Sequence, residues 1–386
     1  MLLALTFVLA ALVAGSAVYC ILAIIGAMRY LRARPARLDG TIPISVLKPL
    51  HHMEEALEEN LRSFFRQNYG NFELLFAVRE PDDPALHVVE KLRREFPYVP
   101  ASSMVTGEPP YPNAKVFSLT RMLAQARYDL VVMSDSDIRV HEDFLENVAR
   151  EFQDPRLGLA SCPYRAVPGE SFWSTLEALT INTEFLAGIL VARLVEGVKF
   201  ALGPTIAVRR TVLDEIGGFD GLKDYLAEDF VMGKRAAERG WRVILSSQVI
   251  DHYIGGLAFG ANARHRIRWC RSTRRSRPAG YIGQIFTNPV PLAAALWIAT
   301  PELWTLCSAT IALRGIAAVT TAGNVLRNPL TTGQWLLLPL ADVVSFVFWL
   351  AGFFGNTITW RGRTYYLHPD GRFELVQPPE SRSAGA

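Results

Sequence analysis

Two carboxylates one residue apart, Asp135 and Asp137, close the apolar run Leu-Val-Val-Met at 130–133. A short apolar run reads as a buried strand, and alternate side chains at its end converge on one point beyond the sheet. Hard carboxylate oxygens at that point suit Mg²⁺ or Mn²⁺, and such an ion suits a diphosphate. Asp-x-Asp is also common in turns, so the pair needs partners before it reads as a site.

Candidate partners follow along the chain. Asp83, in Asp82-Asp83-Pro84, either caps the helix that Pro84 opens or accepts a hydrogen bond from a nucleobase or ribose. Asn113 and Lys115 lead into another helix, where Lys115 is either a solvated surface lysine or a counter-charge for a diphosphate. Glu228 and Asp229 open a helix that runs to about residue 240. Acids there gain from the helix dipole, and they equally fit a general base held on regular structure. His252 has no partner in the local sequence and reads as structural. Residues 264–277 contain seven arginines, by default a collar for anionic lipid headgroups. Within this stretch Arg268 and Trp269 offer something sharper, a guanidinium for diphosphate oxygens and an indole face for a sugar.

These side chains require a scaffold. Residues 41–285 alternate short apolar runs with amphipathic segments, which predicts an α/β domain with a largely parallel sheet. Strands are expected at 42–47, 72–78, 130–133, 200–208 and 241–246, with helices at 54–67, 85–96 and 225–240. Ligands of such sheets bind beyond the carboxyl ends of the strands, where Asp83, Asp135 and Asp137 fall. Residues 172–198 are unusually apolar. They read either as a core helix or as a helix at the membrane interface that shapes an acceptor entrance.

Half of the 386 residues are apolar and the mean hydropathy is positive, so part of the chain belongs in lipid. Residues 1–28 form an uncharged apolar stretch whose helix would be about 40 Å long, against a hydrocarbon core of about 30 Å. Arg29, Arg32, Arg34 and Arg37 follow that stretch instead of preceding it. The order predicts a retained anchor with the middle of the chain in the cytosol. A second membrane region is expected over 286–356. There 335–354 reads as a span, whereas 289–325, interrupted by Pro301, Glu302 and Arg314, is either one span plus a re-entrant piece or two short spans. Arg361, Arg363 and Arg372 mark 357–386 as a cytosolic tail, which favours an odd number of spans, most simply three. The four cysteines lack metal-type spacing and read as reduced. A net charge of +3 is too small to argue for nucleic acid.

The order Asp83, Asp135-Ser136-Asp137, Glu228-Asp229 and His265-Arg-Ile-Arg-Trp269 resembles a known pattern. Membrane-bound inverting glycosyltransferases with a GT-A fold carry such spaced aspartates and a terminal Gln/Arg-x-x-Arg-Trp signature. In particular the chain is similar to the ceramide glucosyltransferase family through residues 45–50, 82–84, 129–130, 227–229 and 239–241. The resemblance implies a GT-A-type nucleotide-diphospho-sugar transferase domain, a UDP-sugar donor (UDP-glucose first), a divalent metal and a membrane-lipid hydroxyl as acceptor. It implies that Asp83 contacts the nucleotide, Asp135 and Asp137 hold the metal and the diphosphate, and Asp229 is the catalytic base. Arg268 and Trp269 would close over diphosphate and acceptor. The expected setting is a bacterial inner membrane with the catalytic domain in the cytosol.

Two positions vary from the family pattern. His265 stands where Gln or Arg is usual, and the second acid, Asp137, is not always kept. The chain also resembles hopanoid-biosynthesis glycosyltransferases, which use an N-acetylglucosamine donor. A processive polysaccharide synthase would need more spans for its channel, and a non-catalytic nucleotide-sugar-binding scaffold would not need all three acidic stations.

Overall fold

The computed structural model describes residues 2–33, 40–360 and 362–376, so Arg34, Arg37 and Arg361 of the expected basic flanks lie outside the described residues. In chain order the strands are β1 (Ile44–Pro49), β2 (Phe72–Val78), β3 (Ala101–Val105), β4 (Leu130–Ser134), β5 (Ile138–Arg139), β6 (Leu157–Ser161) and β7 (Tyr164–Val167). They continue with β8 (Thr205–Arg209), β9 (Arg242–Leu245), β10 (Ile250–Tyr253), β11 (Thr357–Trp360), β12 (Arg363–Leu367) and β13 (Phe373–Leu375).

The main sheet has the order β3-β2-β1-β4-β8-β6-β9. β1 is parallel to β2 and β4, and β2 to β3, so the half that ends in Asp135 and Asp137 is parallel, as expected. β8 departs from that pattern and lies antiparallel between β4 and β6. A long helical excursion after β7 returns the chain to the end of the sheet where β4 and β6 finish, with Thr205 beside Ser134 and Ile206 beside Ser161, so β8 runs against its neighbours. Alternation along β1, β2 and β4 sends Val46, Leu74, Phe76 and Val132 to one core and Leu47, Leu75, Ala77, Val131 and Met133 to the other. Each of these side chains apart from Ala77, fully buried, contributes roughly 1.5–3 kcal/mol. With both faces covered, the strand ends carrying the acids have little freedom to move.

A second sheet, β5-β10-β7, crosses the end of β4. Its register pairs His252 with Ile138, the residue after Asp137. The expected tail is partly folded: β11, β12 and β13 form a third sheet whose Ile358, Tyr365, Leu367 and Phe373 bury a small core with Leu226.

Among the described residues four helices are long and apolar enough to cross a membrane: Leu3–Arg32, Phe172–Glu196, Pro301–Val325 and Thr332–Gly352. Pro278–Thr287 and Pro289–Ala299 pass the same test as a pair bent by 59°. Phe172–Glu196 follows β7 and precedes β8, so both ends of this rod of roughly 37 Å join the sheets of the α/β part.

Leu3–Arg32 and Pro301–Val325 run in the same direction. Thr6 and Thr300 hydroxyls meet at 2.9 Å near one end, and Cys20 and Ala23 pack with Ala317 toward the other. The bent pair runs oppositely, with Phe286 against Gly15 and Leu292 and Leu296 clustered with Val13. Val325 thus emerges on the sheet side. Thr332–Gly352 follows and leads into β11. It contains the 335–354 segment that reads as a span and is one of the four helices long and apolar enough to cross. Arg314, which interrupts the apolar run, pairs with buried Asp342 at 2.8 Å and donates to Thr183 at 3.0 Å, which satisfies its charge within the bundle. All four cysteines are free.

Candidate active site

Beyond the carboxyl ends of β1 and β4 a cavity of about 780 Å³ continues down between the membrane helices. Lys115, Asp135, Asp137, Glu228, Asp229, His252, His265, Arg268 and Trp269 all line it. Sequence positions from 115 to 269 therefore converge on one space.

The Asp135–Asp137 pair is met by cationic groups. Lys115 Nζ lies 2.6 Å from Asp135 Oδ1 and 3.5 Å from Glu228 Oε1, and it donates to the Gly203 carbonyl at 3.3 Å. Burial opposes the charge on Lys115, but the carboxylates of Asp135 and Glu228 outweigh it and raise the pKa. Lys115 is thus a bridge between the two acidic stations and not a solvated lysine. Asp137 Oδ2 lies 3.1 Å from His252 Nε2, while Asp137 Oδ1 is buried without a partner. Burial would raise the Asp137 pKa, yet the imidazole beside it holds the carboxyl below its ordinary value; the same contact raises His252 against its own burial. Beneath the pair, Lys48 is fully buried and donates to the Asp135 carbonyl at 2.5 Å. Its burial brings its pKa down to about 7.

Asp229 occupies the first turn of the helix Glu228–Glu238. A Cβ on Gly203 would lie 2.9 Å from Asp229 Oδ2, so the Gly203-Pro204 loop can pass this carboxylate only because residue 203 has none. Burial raises the pKa of Asp229, partly offset by the backbone N–H of Phe230. Burial likewise pushes Glu228 up to about 7, against the pull of Lys115.

The helix Phe259–Ser276 supplies His265, Arg268 and Trp269. His265 Nδ1 lies 3.0 Å from Glu177 Oε1, and Asn262 donates to the other oxygen of that buried carboxylate. The Trp269 ring packs 4.9 Å from His265 and 6.2 Å from Phe185. Arg268 stands 5.9 Å over Trp360 of β11, so the C-terminal sheet joins the cavity wall. The expected headgroup collar is largely engaged elsewhere. Arg271 donates to the Phe354 and Thr357 carbonyls, Arg274 to Phe353 and Gly355, and Arg275 to Asn356. These contacts close the C-terminal end of Thr332–Gly352, where carbonyls and the helix dipole favour cations.

Asp83 does not line the cavity. It is 3% exposed, its Oδ1 accepts from Ala85 N at 2.9 Å and its Oδ2 from His52 N at 3.0 Å. It therefore caps a helix and braces the turn that brings His51 into the cavity wall. Ligand atoms of His51, His52 and Asp83 lie within 4.8 Å of one another, a second grouping with metal-binding residue types. Both Asp83 oxygens already accept backbone N–H groups, which leaves this grouping a poorer donor set than Asp135, Asp137 and His252.

The sequence profile of glycosyl transferase family 21 matches residues 6–373. The chain belongs to this family. Ceramide glucosyltransferase 1 of Caenorhabditis elegans is 32% identical over 212 residues, 54% of this chain and 45% of the relative. The chain thus spans about half the length of the nematode relatives it matches. The ceramide glucosyltransferase of Gibberella zeae is 20% identical over 477 aligned positions, 91% of this chain and 90% of that one. The mannosyltransferase PcManGT from Pyrobaculum calidifontis, solved in complex with GDP-Man and Mn²⁺, superposes with a TM-score of 0.53 at 20% identity over 91% of this chain and 99% of that one. Family 21 membership and the superposition together give a GT-A-type fold with membrane-compatible helices, similar to the ceramide glucosyltransferases.

Several residues of the family 21 site have no signal in the linear sequence. His252 meets Asp137 only through the β5–β10 register, Lys48 looks like an ordinary strand lysine, and Glu177 and Glu184 sit inside an apolar helix. Ser174, Glu177, Thr180 and Glu184 recur at helical spacing, and that stripe is the one signal that could have marked a polar face there.

Proposed function

We propose that this enzyme transfers a hexose from a UDP-sugar, with UDP-glucose the first candidate, to the hydroxyl of a membrane lipid with inversion at the anomeric carbon. The observation that carries the reading is the continuity of one cavity, from Asp135 and Asp137 past Asp229 to Glu184, Thr287 and Ser345 on membrane-side helices. A diphosphate at the strand ends and a hydroxyl arriving from the lipid would meet beside Asp229.

In this mechanism Asp229 accepts the acceptor hydroxyl proton as that oxygen bonds to the anomeric carbon and the bond to UDP breaks. A raised carboxyl pKa makes Asp229 a better proton acceptor than an exposed aspartate. One displacement inverts the centre, so no carboxylate nucleophile is required. Lys115 and Arg268 bring positive charge to the departing diphosphate, and Trp269 presents its face to the sugar or the acceptor. Asp135, Asp137 and His252 fit a Mg²⁺ or Mn²⁺ ion: two hard carboxylates, one with a buried unpartnered oxygen, and an imidazole nitrogen beside them. Such an ion would neutralise charge developing on the leaving group. Asp83 acts indirectly on the nucleotide, through the His51–His52 turn.

The catalytic domain faces the cytosol in this reading, because Arg29 and Arg32 flank the anchor on the sheet side. Incubating the purified protein with a panel of UDP-sugars, including UDP-N-acetylglucosamine, and with membrane lipids gives a product identifiable by mass spectrometry. One sugar added per lipid is expected. A ladder of chain lengths would instead indicate a processive synthase, and binding without transfer a scaffold.

A further inference from the structure

The helix Phe172–Glu196 widens into a π-turn at Ile181–Phe185, a deviation frequent at functional sites. Glu184 lies in that turn and lines the cavity on its membrane side. Its Oε1 accepts from Thr287 Oγ1 at 2.7 Å and Asn288 Nδ2 at 3.0 Å, and its Oε2 accepts from Ser345 Oγ. Thr287 and Asn288 sit at the 59° bend, and Ser345 is on Thr332–Gly352. Oε2 thus has one donor and room for another.

Pinning the bend would account for those three donors, but not for Tyr19. This residue of the anchor helix lines the same cavity, and its hydroxyl is buried without a hydrogen-bond partner. A Cβ on Gly188, one turn beyond Glu184 and also on the cavity wall, would stand 3.5 Å from that hydroxyl. Tyr19 O–H and the Glu184 carboxylate therefore face one stretch of the cavity. An unpaired phenol in apolar surroundings costs stability unless a ligand completes it.

We infer that Tyr19, Glu184 and Ser345 form a polar subsite that reads a second hydrogen-bonding group on the acceptor, an amide or hydroxyl close to the reacting hydroxyl. A lipid N–H or O–H donates to Glu184 Oε2, and Tyr19 donates to a lipid oxygen. Phe185, Ile189 and Val191, on the same wall, take the adjoining hydrocarbon. The inference rests on the reading that the acceptor is a membrane lipid.

The test uses the full-length protein in nanodiscs with a UDP-sugar and two acceptors matched in chain length, an N-acyl amino alcohol and a diacylglycerol, each with a free primary hydroxyl. The wild type is expected to favour the amide lipid by about tenfold in kcat/KM, the worth of one well-placed hydrogen bond. Tyr19→Phe, which removes a single oxygen, compresses that preference to about twofold, mainly by raising the KM for the amide lipid. Ser345→Ala, on a different helix, reorients Glu184 and compresses it in the same direction. The UDP-sugar KM of each variant reports whether the fold is intact. A wild type without preference, or a preference untouched in both variants, overturns the subsite while leaving lipid glycosylation standing. Transfer to neither lipid with any UDP-sugar overturns the reading of the function, and the subsite with it.

Discussion

The two acidic stations of the cavity are built in opposite ways. At the strand ends, Asp135 and Asp137 are met by Lys115 and His252, with Lys48 beneath, and Asp137 is held ionised. Across the cavity, Glu228 and Asp229 sit at a helix start where burial outweighs the nearby lysine and raises both pKa values. Environments that drive like groups apart let one site keep one carboxylate for holding charge and another for taking a proton. Lys115, which touches both stations, sets how far apart they stay.

That division can be broken at several points. Asp229→Asn keeps the shape and removes the proton acceptor, so kcat is expected to fall about 10²- to 10⁴-fold while UDP-sugar binding persists. Near-normal turnover would put the base elsewhere. Next, Asp137→Asn or His252→Ala weakens metal affinity about 10- to 100-fold, read as the Mn²⁺ concentration giving half-maximal rate. If that midpoint stays put, the ion sits elsewhere, with His51, His52 and Asp83 the first place to look.

Gly203→Ala drives a methyl toward Asp229 and costs roughly tenfold in kcat with little change in donor KM. An equal loss in both would mean that the loop serves the donor instead. The pH profile sharpens the contrast further. Because the Asp229 pKa is raised, its ionised fraction is lost as pH falls through that raised value, so the acid limb of kcat/KM should lie above the range of an exposed aspartate. A limb at the ordinary position would remove the burial argument. The smallest effect is expected for Asp83→Ala: a lost cap costs about 0.5–2 kcal/mol of stability, seen as a lower Tm, whereas the UDP-sugar KM stays within about threefold. A large rise in KM at unchanged Tm would restore a direct nucleotide contact.

Local patterns made part of this legible in the sequence. The apolar run of β4 with its two terminal acids, and the acids opening Glu228–Glu238, are written within one element each. His252 is not, since its partner lies 115 positions upstream and the pairing depends on the two-residue strand β5. The arginine-rich helix has the composition of a lipid collar, but three of its arginines reach carbonyls that only tertiary folding brings near. In the membrane part, composition sets how apolar a segment is, while its route depends on what its ends are joined to. In the sheet, likewise, β8 reverses among neighbouring strands that read as parallel.

Phe172–Glu196 is encoded in the middle of the catalytic domain, and it carries both Glu177, which holds His265, and Glu184. Cutting away both ends of the chain would therefore not release a water-soluble enzyme, because the greasy rod would leave with it. With that rod laid on the membrane face, the bilayer would act as a mould for one wall of the cavity. Changes of detergent or lipid thickness should register in turnover well before they register in unfolding.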